Sequence, residues 1–476
     1  MDNLPPIQSI TLSHLNNKIS CSFQKRKRMD TLNQRRFLSF DIQVKDDFSF
    51  MESKDEFNSF NEVNNDFNSH MKTKDDFKID PLIIIQKIRE IIIIPLPNLK
   101  KHREIKKLLQ LCRDVIMDNL MKNCILLNNN KIMNEYLDLL GEMLKEMKEN
   151  ISDLAFEVVF SFSAVSCFDI YVGNHMIGLI VFLENQMKNT NIYNANILIE
   201  KTISAMGNFL CEKGHCEVAF KNGLPKIVLK LMGRNDPFLL NGLFWMISNF
   251  IRSCDCYEMI ECFTMVEFQK TYLNILNKYE NNNLVIAELI WMMAVLSQIC
   301  SDNINQAFFE TSLLNRLIAI LGNKNAQIKI IIPILTIFSN IAPILGNNCF
   351  LLIQNEVIQS LIEKGLNSNI YALKREVIFL LSNLVLNKNT GLFICKYNNF
   401  VNLLVDLFEE ILHSGYLDNV FFDLGYLFCN LVTISSEELK ENRNFLKLRG
   451  YFEKLLNFEK EEVQKLARVF LNNFKL

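Results

Sequence analysis

The sequence predicts an all-α solenoid, in which helical repeats stack side by side along one direction. Three observations lead to this prediction. The 476 residues include only 15 Gly and 9 Pro, too few for the many turns of an all-β fold. Long apolar runs with helical periodicity fill the chain from about Asp80 onwards. One short pattern also recurs every 41 to 47 residues, a spacing typical of helical repeat arrays.

The clearest copy of this pattern lies at 241–252, where Trp245 and Asn249 are four residues apart. On a helix these two side chains lie on the same face. An indole can cover the aliphatic stem of a lysine or arginine, and a carboxamide can hydrogen-bond the backbone of an extended peptide. The pair therefore has chemistry suited to a peptide-binding surface.

Seven further frames with the same four-residue offset follow the repeat period, although individual asparagines count for little in so asparagine-rich a chain. They are Phe160/Ala164, Ser204/Asn208, Trp291/Val295, Thr336/Asn340, Phe379/Asn383, Tyr426/Asn430 and Val469/Asn473. A second landmark, the start of the next helix pair, keeps the same period. It is clearest at Asn222-Gly-Leu-Pro225, with weaker copies beginning at Leu313, Val357, Phe400 and Tyr451. We therefore expect about nine repeats in 81–476, with 81–150 forming the helical pairs of the first.

The N-terminal 80 residues differ from the rest in charge and composition. Residues 1–45 carry eight Lys/Arg against three Asp/Glu, whereas 46–80 carry four against ten. We expect 1–45 to be a basic interaction arm and 46–80 a disordered acidic linker. The linker repeats a short acidic motif ending in phenylalanine, which low-complexity expansion explains better than partner docking. Its phenylalanines are Phe48, Phe57, Phe67 and Phe77.

Composition argues against several classes of function. The 13 cysteines are odd in number and scattered through apolar runs, as in a reduced cytosolic or nuclear protein. The cluster Cys211, His215, Cys216, Cys254 and Cys256 matches no zinc spacing, so we expect no metal or cofactor. No catalytic motif is present, which predicts a non-enzymatic protein. Because the excess of basic residues is confined to the arm, we expect no direct nucleic-acid binding.

The most membrane-like run is 330–345, but two prolines interrupt it and it is short for a bilayer. We expect it to form a buried repeat helix rather than a membrane span.

The Trp245 frame resembles the Trp-x-x-x-Asn signature of importin alpha (karyopherin alpha), a family of armadillo-repeat nuclear import adaptors. The stretch 241–252 is most similar to the fourth repeat of that family. Other frames resemble the third repeat (205–208), the fifth (287–291), the sixth (338–340) and the seventh (374–383). The resemblance covers 81–476 and implies a right-handed superhelical armadillo solenoid, whose third helices line a concave groove.

The resemblance also implies a function. Importin alpha proteins shuttle between cytoplasm and nucleus and hold lysine- and arginine-rich nuclear localisation signals of cargo in the groove. The implied major site comprises Asn208, Glu212, Trp245, Asn249, Glu288 and Trp291. The implied minor site comprises Asn340, Glu376, Phe379, Asn383, Tyr426 and Asn430. At the N-terminal end of the major site the sequence departs from the family, with Phe160 and Ser204 in place of tryptophan and Ala164 in place of asparagine.

The arm resembles the importin-beta-binding segment of the same family. Its basic residues are Lys25, Arg26, Lys27, Arg28, Arg35 and Arg36. An export receptor and nuclear pore proteins are further implied partners. A nuclear localisation signal or a plain solvated tail would also account for the arm. The rival hypothesis for the whole chain is an armadillo scaffold that binds other proteins without import function, which the departures at 160–204 favour.

Overall fold

The computed structural model describes thirteen stretches of the chain: 81–92, 103–113, 130–146, 153–165, 173–188, 192–211, 213–299, 312–323, 326–345, 348–396, 398–414, 419–440 and 443–474. All of them belong to a compact unit that runs from Pro81 to Leu476. The predicted arm (1–45), the acidic linker (46–80) and the candidate site residue Glu212 lie outside the described residues.

Every regular element in these stretches is a helix. Numbered by the predicted frames, the first three repeats contain α1 (Pro81–Ile92), α2 (103–113), α3 (Asn130–Glu146), α4 (Asp153–Val165), α5 (Gly173–Met187) and α6 (Ile192–Phe209). The fourth and fifth contribute α7 (Lys213–Lys221), α8 (Leu224–Met232), α9 (Pro237–Ser253), α10 (Tyr257–Glu261), α11 (Val266–Lys278) and α12 (Asn283–Ile299).

The sixth and seventh repeats contribute α13 (Ser312–Leu321), α14 (Ile328–Ile341), α15 (Asn348–Gln354), α16 (Glu356–Leu366) and α17 (Tyr371–Leu384). The eighth and ninth contribute α18 (Lys388–Lys396), α19 (Asn398–Ser414), α20 (Asn419–Lys440), α21 (Arg443–Leu455) and α22 (Glu461–Asn473). Short 3-10 turns at Cys262–Thr264 and Ala342–Ile344 complete the set.

The last helix of each repeat packs directly on the last helix of the next. This chain of contacts runs from α4 through α6, α9, α12, α14, α17 and α20 to α22, and we call these eight the ladder helices. Each predicted frame lies on one ladder helix, in the predicted order. The all-α solenoid prediction is therefore confirmed, since every repeat buries its apolar surface mainly against its neighbours.

The clearest copy of the second landmark lies at the start of α8, which precedes the ladder helix α9. Before α8, Gly223 adopts a φ of 85°, a left-handed conformation that glycine reaches without steric cost, and Pro225 follows in the first helical turn. The weaker copies lie on α13, α16, α19 and α21. In the region expected to form the first repeat, α3 packs on α1 as well as on α4 and α5, so the expectation that 81–150 form that repeat stays a prediction.

The run 330–345 forms a buried repeat helix, as predicted. It covers most of α14, which keeps Pro333 inside the helix and buries nearly all of its residues from Ile330 to Ile341. Among the described residues, no helix is both long and apolar enough to cross a bilayer.

Candidate peptide-binding face

Two neighbouring residues define the start of the central ladder helix, α9. Asp236 lies at its N-cap, where one carboxylate oxygen accepts hydrogen bonds from the backbone N–H of Phe238 at 2.9 Å and of Leu239 at 3.3 Å. Pro237, at the first helical position, has no N–H to leave unsatisfied. These two residues fix where α9 begins and therefore which face carries Trp245 and Asn249.

Trp245 packs against the preceding ladder helix at a glycine. A Cβ atom added to Gly207 would lie 2.2 Å from Cζ3 of the indole and 2.7 Å from Cε3. Such distances are far inside van der Waals contact, so the indole needs the absence of a side chain at this position. The half-buried Trp245 therefore contributes to packing between the third and fourth repeats.

Two of the predicted peptide-binding asparagines make hydrogen bonds inside the solenoid. Asn249 is 2% exposed, and its Nδ2 donates to the carbonyl oxygen of Gly207 at 3.0 Å. Asn383 is 5% exposed, and its Nδ2 donates to the carbonyl oxygen of Ser339 at 2.7 Å. In both cases the acceptor belongs to the preceding ladder helix, so these amides join neighbouring repeats.

The other asparagines of the frames are more accessible. Asn340 is half-buried and donates from Nδ2 to the Ser297 hydroxyl at 2.9 Å. Asn208 and Asn430 are half-buried on α6 and α20. Among the predicted asparagines, these three therefore keep the greater access to solvent.

Four frames carry an acidic residue three positions before the aromatic, on the same face of the ladder helix. Two of these acids, Glu288 and Glu376, are predicted site residues, whereas Glu157 and Asp423 were missed. The constant offset of three residues is a signal that would have found both. Glu376 accepts a hydrogen bond from the Thr336 hydroxyl at 2.9 Å, and Asp423 lies 3.6 Å from Nε of Arg375.

Glu288 differs from the other three acids. It is half-buried, three residues before the half-buried Trp291, and within the described part of the chain it makes no hydrogen bond or ion pair. Burial raises the pKa of its carboxyl to about 7, against the opposing influence of Arg252 and Lys329. Its surroundings therefore favour the neutral acid unless a further cation approaches.

The aromatic positions divide into accessible and buried ones. Trp245 and Trp291 are half-buried, and Tyr426 is 40% exposed. Phe379 is only 6% exposed, so it belongs to the core in this structure. The predicted minor site therefore offers one accessible ring, that of Tyr426, and not two.

The structure thus places the described major-site residues on three successive ladder helices. Asn208 lies on α6, Trp245 and Asn249 on α9, and Glu288 and Trp291 on α12. The minor-site residues lie on α14, α17 and α20. Their assignment to peptide binding stays a prediction.

The cysteine- and histidine-rich region around α7 and α10 engages the backbone. The Cys216 thiol donates to the carbonyl of Leu210, and Nδ1 of the buried His215 lies 2.7 Å from the carbonyl oxygen of Phe209. Burial raises the pKa of the Cys216 and Cys254 thiols. No group of His, Cys, Asp and Glu side chains in the described stretches is arranged to hold a metal ion.

Of the comparisons with known proteins, only the one with solved structures found matches. No protein-family model matches the sequence, and neither does any curated protein. An engineered protein from the Northeast Structural Genomics Consortium is similar, with a TM-score of 0.59 and 14% identity over 84% of this chain and 97% of that chain.

A second similar chain comes from a structure on a phosphorylation switch that controls the interaction between cadherin and beta-catenin. Its TM-score is 0.52 at 14% identity, over 71% of this chain and 64% of that chain. A designed armadillo repeat protein in complex with the peptide (KR)4 aligns with a TM-score of 0.39 at 16% identity, over 63% of this chain and 99% of that chain. The fold is an armadillo-repeat solenoid.

Proposed function

We propose that this armadillo protein binds protein partners and holds a lysine- or arginine-rich peptide segment across repeats four and five. The observation that carries the proposal is Glu288, a half-buried carboxyl group beside Trp291 that has no ion-pair partner in the described part of the chain. Burial raises the pKa of this carboxyl and Arg252 and Lys329 offset that effect only in part, so ionising Glu288 carries a free-energy cost.

A cation from a partner would remove that cost. An ammonium or guanidinium group near Glu288 stabilises the carboxylate, while the Trp291 ring covers the aliphatic stem that carries the cation. Arg252 and Lys329 already lie close enough to affect the pKa of Glu288, and they oppose the entry of a further cation. We therefore expect binding that is specific for basic peptides and strongly dependent on salt.

The resemblance to importin alpha supports a finer proposal. In it, the peptides are nuclear localisation signals of cargo, the arm at 25–36 binds importin beta, and the protein shuttles between cytoplasm and nucleus. An export receptor and nuclear pore proteins would complete the transport cycle.

The second candidate function is a scaffold for other protein partners without import activity. It is favoured by the amides of Asn249 and Asn383, which already bond the neighbouring ladder helices. The buried ring of Phe379 favours it as well. A peptide held only near Glu288 and Trp291 would have a shorter footprint than the resemblance implies.

Fluorescence anisotropy with a labelled lysine-rich peptide tests the proposal. The peptide would be titrated with the full chain at about 0.05 M and about 0.3 M salt, because charge pairing weakens as the Debye length shortens. We expect salt-sensitive binding that is lost when the peptide lysines become alanine. Glu288→Gln should weaken it at least fivefold, whereas Glu267→Gln, at an exposed acid on α11, should leave it unchanged. Absence of binding by folded protein would favour the scaffold.

The import proposal has its own test. Deleting residues 1–45 should abolish binding of importin beta in a pull-down assay and leave the melting temperature unchanged. Retained importin beta binding would contradict the role of the arm.

A further inference from the structure

The first aromatic position of the ladder is covered by an arginine of the chain itself. The guanidinium carbon of Arg113, on α2, lies 4.7 Å from the ring centroid of Phe160, on α4. The same guanidinium pairs with Glu157, which precedes Phe160 by one helical turn. Gln110 donates a second hydrogen bond to that carboxylate, from Nε2 at 3.2 Å.

These contacts form a complete binding site for a guanidinium group. The ring supplies a cation–π surface and the carboxylate supplies the counter-charge, the two features that hold arginine side chains in protein complexes. The side chains of Arg113 and Glu157 are 14% and 4% exposed, so the pair is shielded from water. Phe160 and Glu157 have the same offset as Trp291 and Glu288, but within the described stretches Glu288 makes no hydrogen bond or ion pair.

The eighth repeat provides an internal comparison. Arg375 reaches the equivalent acid, Asp423, at 3.6 Å, so an inter-repeat arginine–carboxylate pair is present there too. The ring of Tyr426 nevertheless stays 40% exposed, and within the described stretches no cation lies over it. An arginine can therefore pair with this acid without covering the aromatic ring, which makes the stacking of Arg113 a separate feature.

We infer that Arg113 is a built-in ligand of the Phe160–Glu157 site and that it excludes arginine or lysine side chains of a partner from this site. The peptide-binding track, meaning the row of ladder-helix positions that a bound peptide would contact, therefore ends before it reaches the second repeat. The track itself rests on the proposed function. The contacts of Arg113 with Phe160 and Glu157 do not, because the structure shows them directly.

Chemical rescue tests the site without any peptide. Arg113→Ala leaves the buried carboxylate of Glu157 without its cation, which should lower the melting temperature. Millimolar N-methylguanidinium should raise the melting temperature of this variant, relative to the same concentration of sodium chloride, and should leave the wild type unaffected. The double variant Arg113→Ala/Glu157→Gln should show no rescue.

Equal shifts in the wild type, the single variant and the double variant would overturn the inference. If Arg113→Ala does not fold by itself, it is refolded with N-methylguanidinium or with the same concentration of sodium chloride. Recovery of folded protein in N-methylguanidinium alone would support the inference, and equal recovery or none in both would overturn it.

Peptide binding tests the consequence for the track. Two lysine-rich peptides would be compared, one of them extended by an arginine at each end. The ratio of the two affinities should be the same in the wild type and in the control Arg449→Ala, whose arginine pairs with Glu453 on α21, whereas in Arg113→Ala the preference for the extended peptide should rise at least fivefold. Equal binding of both peptides by Arg113→Ala would show that Arg113 has only a structural role. If no variant binds either peptide, the proposed function fails and the rescue experiment alone decides the inference.

Discussion

The side-chain amide of Asn249 donates a 3.0 Å hydrogen bond to the carbonyl oxygen of Gly207, 42 residues earlier in the chain. Trp245, one helical turn before Asn249, packs on the same glycine. Both residues of the most complete frame thus contact one residue of the preceding repeat. Asn383 and Ser339 repeat the hydrogen bond three repeats later, at 2.7 Å. Trp245 and Asn249 therefore help to hold neighbouring repeats together, whether or not they also contact a ligand.

Gly207→Ala should destabilise the protein. The added methyl group would overlap the Trp245 ring, whose displacement should cost about 1–3 kcal/mol, as is usual for overpacking. Urea unfolding monitored by circular dichroism measures the change. Gly178→Ala, on α5, is the matched control because its Cβ would meet nothing within 4 Å. An equal effect of the two substitutions would contradict the packing described for Trp245.

Asn249→Ala should also lower stability, since it removes the donor to the buried Gly207 carbonyl. The expected cost is about 1–3 kcal/mol, the usual penalty for leaving a buried polar group unsatisfied. Asn473→Ala serves as the control: Asn473 makes a comparable bond to Thr433 at 3.0 Å, but it is exposed. We expect that change to stay within about 0.5 kcal/mol. A negligible loss in Asn249→Ala would show that the amide is free to serve a ligand.

The pKa of Glu288 predicts a specific dependence of stability on pH. Its folded-state pKa of about 7 lies above the ordinary value of 4.5, so the folded protein favours the protonated acid. The contribution of Glu288 to stability is therefore fully present below pH 4.5 and is lost as the pH rises through about 7.

Glu288→Gln should accordingly match the wild type at pH 4.5 and melt at a higher temperature at pH 8. The difference should follow the general relation of roughly 1.4 kcal/mol per unit of pKa shift. Thermal melts across this pH range provide the measurement, with Glu267→Gln as an exposed control. A difference between Glu288→Gln and wild type that does not change with pH would contradict the assigned burial of Glu288.

Asp236→Ala should shorten or loosen the start of α9. The substitution removes the acceptor for two backbone N–H groups and for Asn196, whose Nδ2 donates to Asp236 at 2.7 Å. Loss of an N-cap costs about 0.5–2 kcal/mol. Asp236→Asn keeps a capping oxygen and should recover most of the loss in a thermal melt. If Asp236→Ala and Asp236→Asn lower the melting temperature equally, the negative charge of Asp236 contributes more to stability than its hydrogen bonds to the backbone N–H groups.

Much of the site's framework could be predicted because it depends on local pattern. The frames at Trp245 and Phe379 lie on ladder helices, since a four-residue offset and a repeat of about 43 residues define the helix face and the stacking order. Accessibility could not be predicted in the same way. Phe379 is buried and Tyr426 is exposed although they occupy the same frame position, since exposure depends on tertiary packing and not on the local pattern.

The sequence by itself determined the helical repeats, their period and the order of the ladder helices, because these follow from hydrophobic periodicity and from helix-start residues such as Gly223 and Pro225. Only the tertiary structure decided which side chains of the ladder remain available to a partner. Asn249 bonds Gly207 and Arg113 covers Phe160 across separations of more than forty residues. Such contacts depend on the distance and rotation between packed helices, which no local pattern specifies.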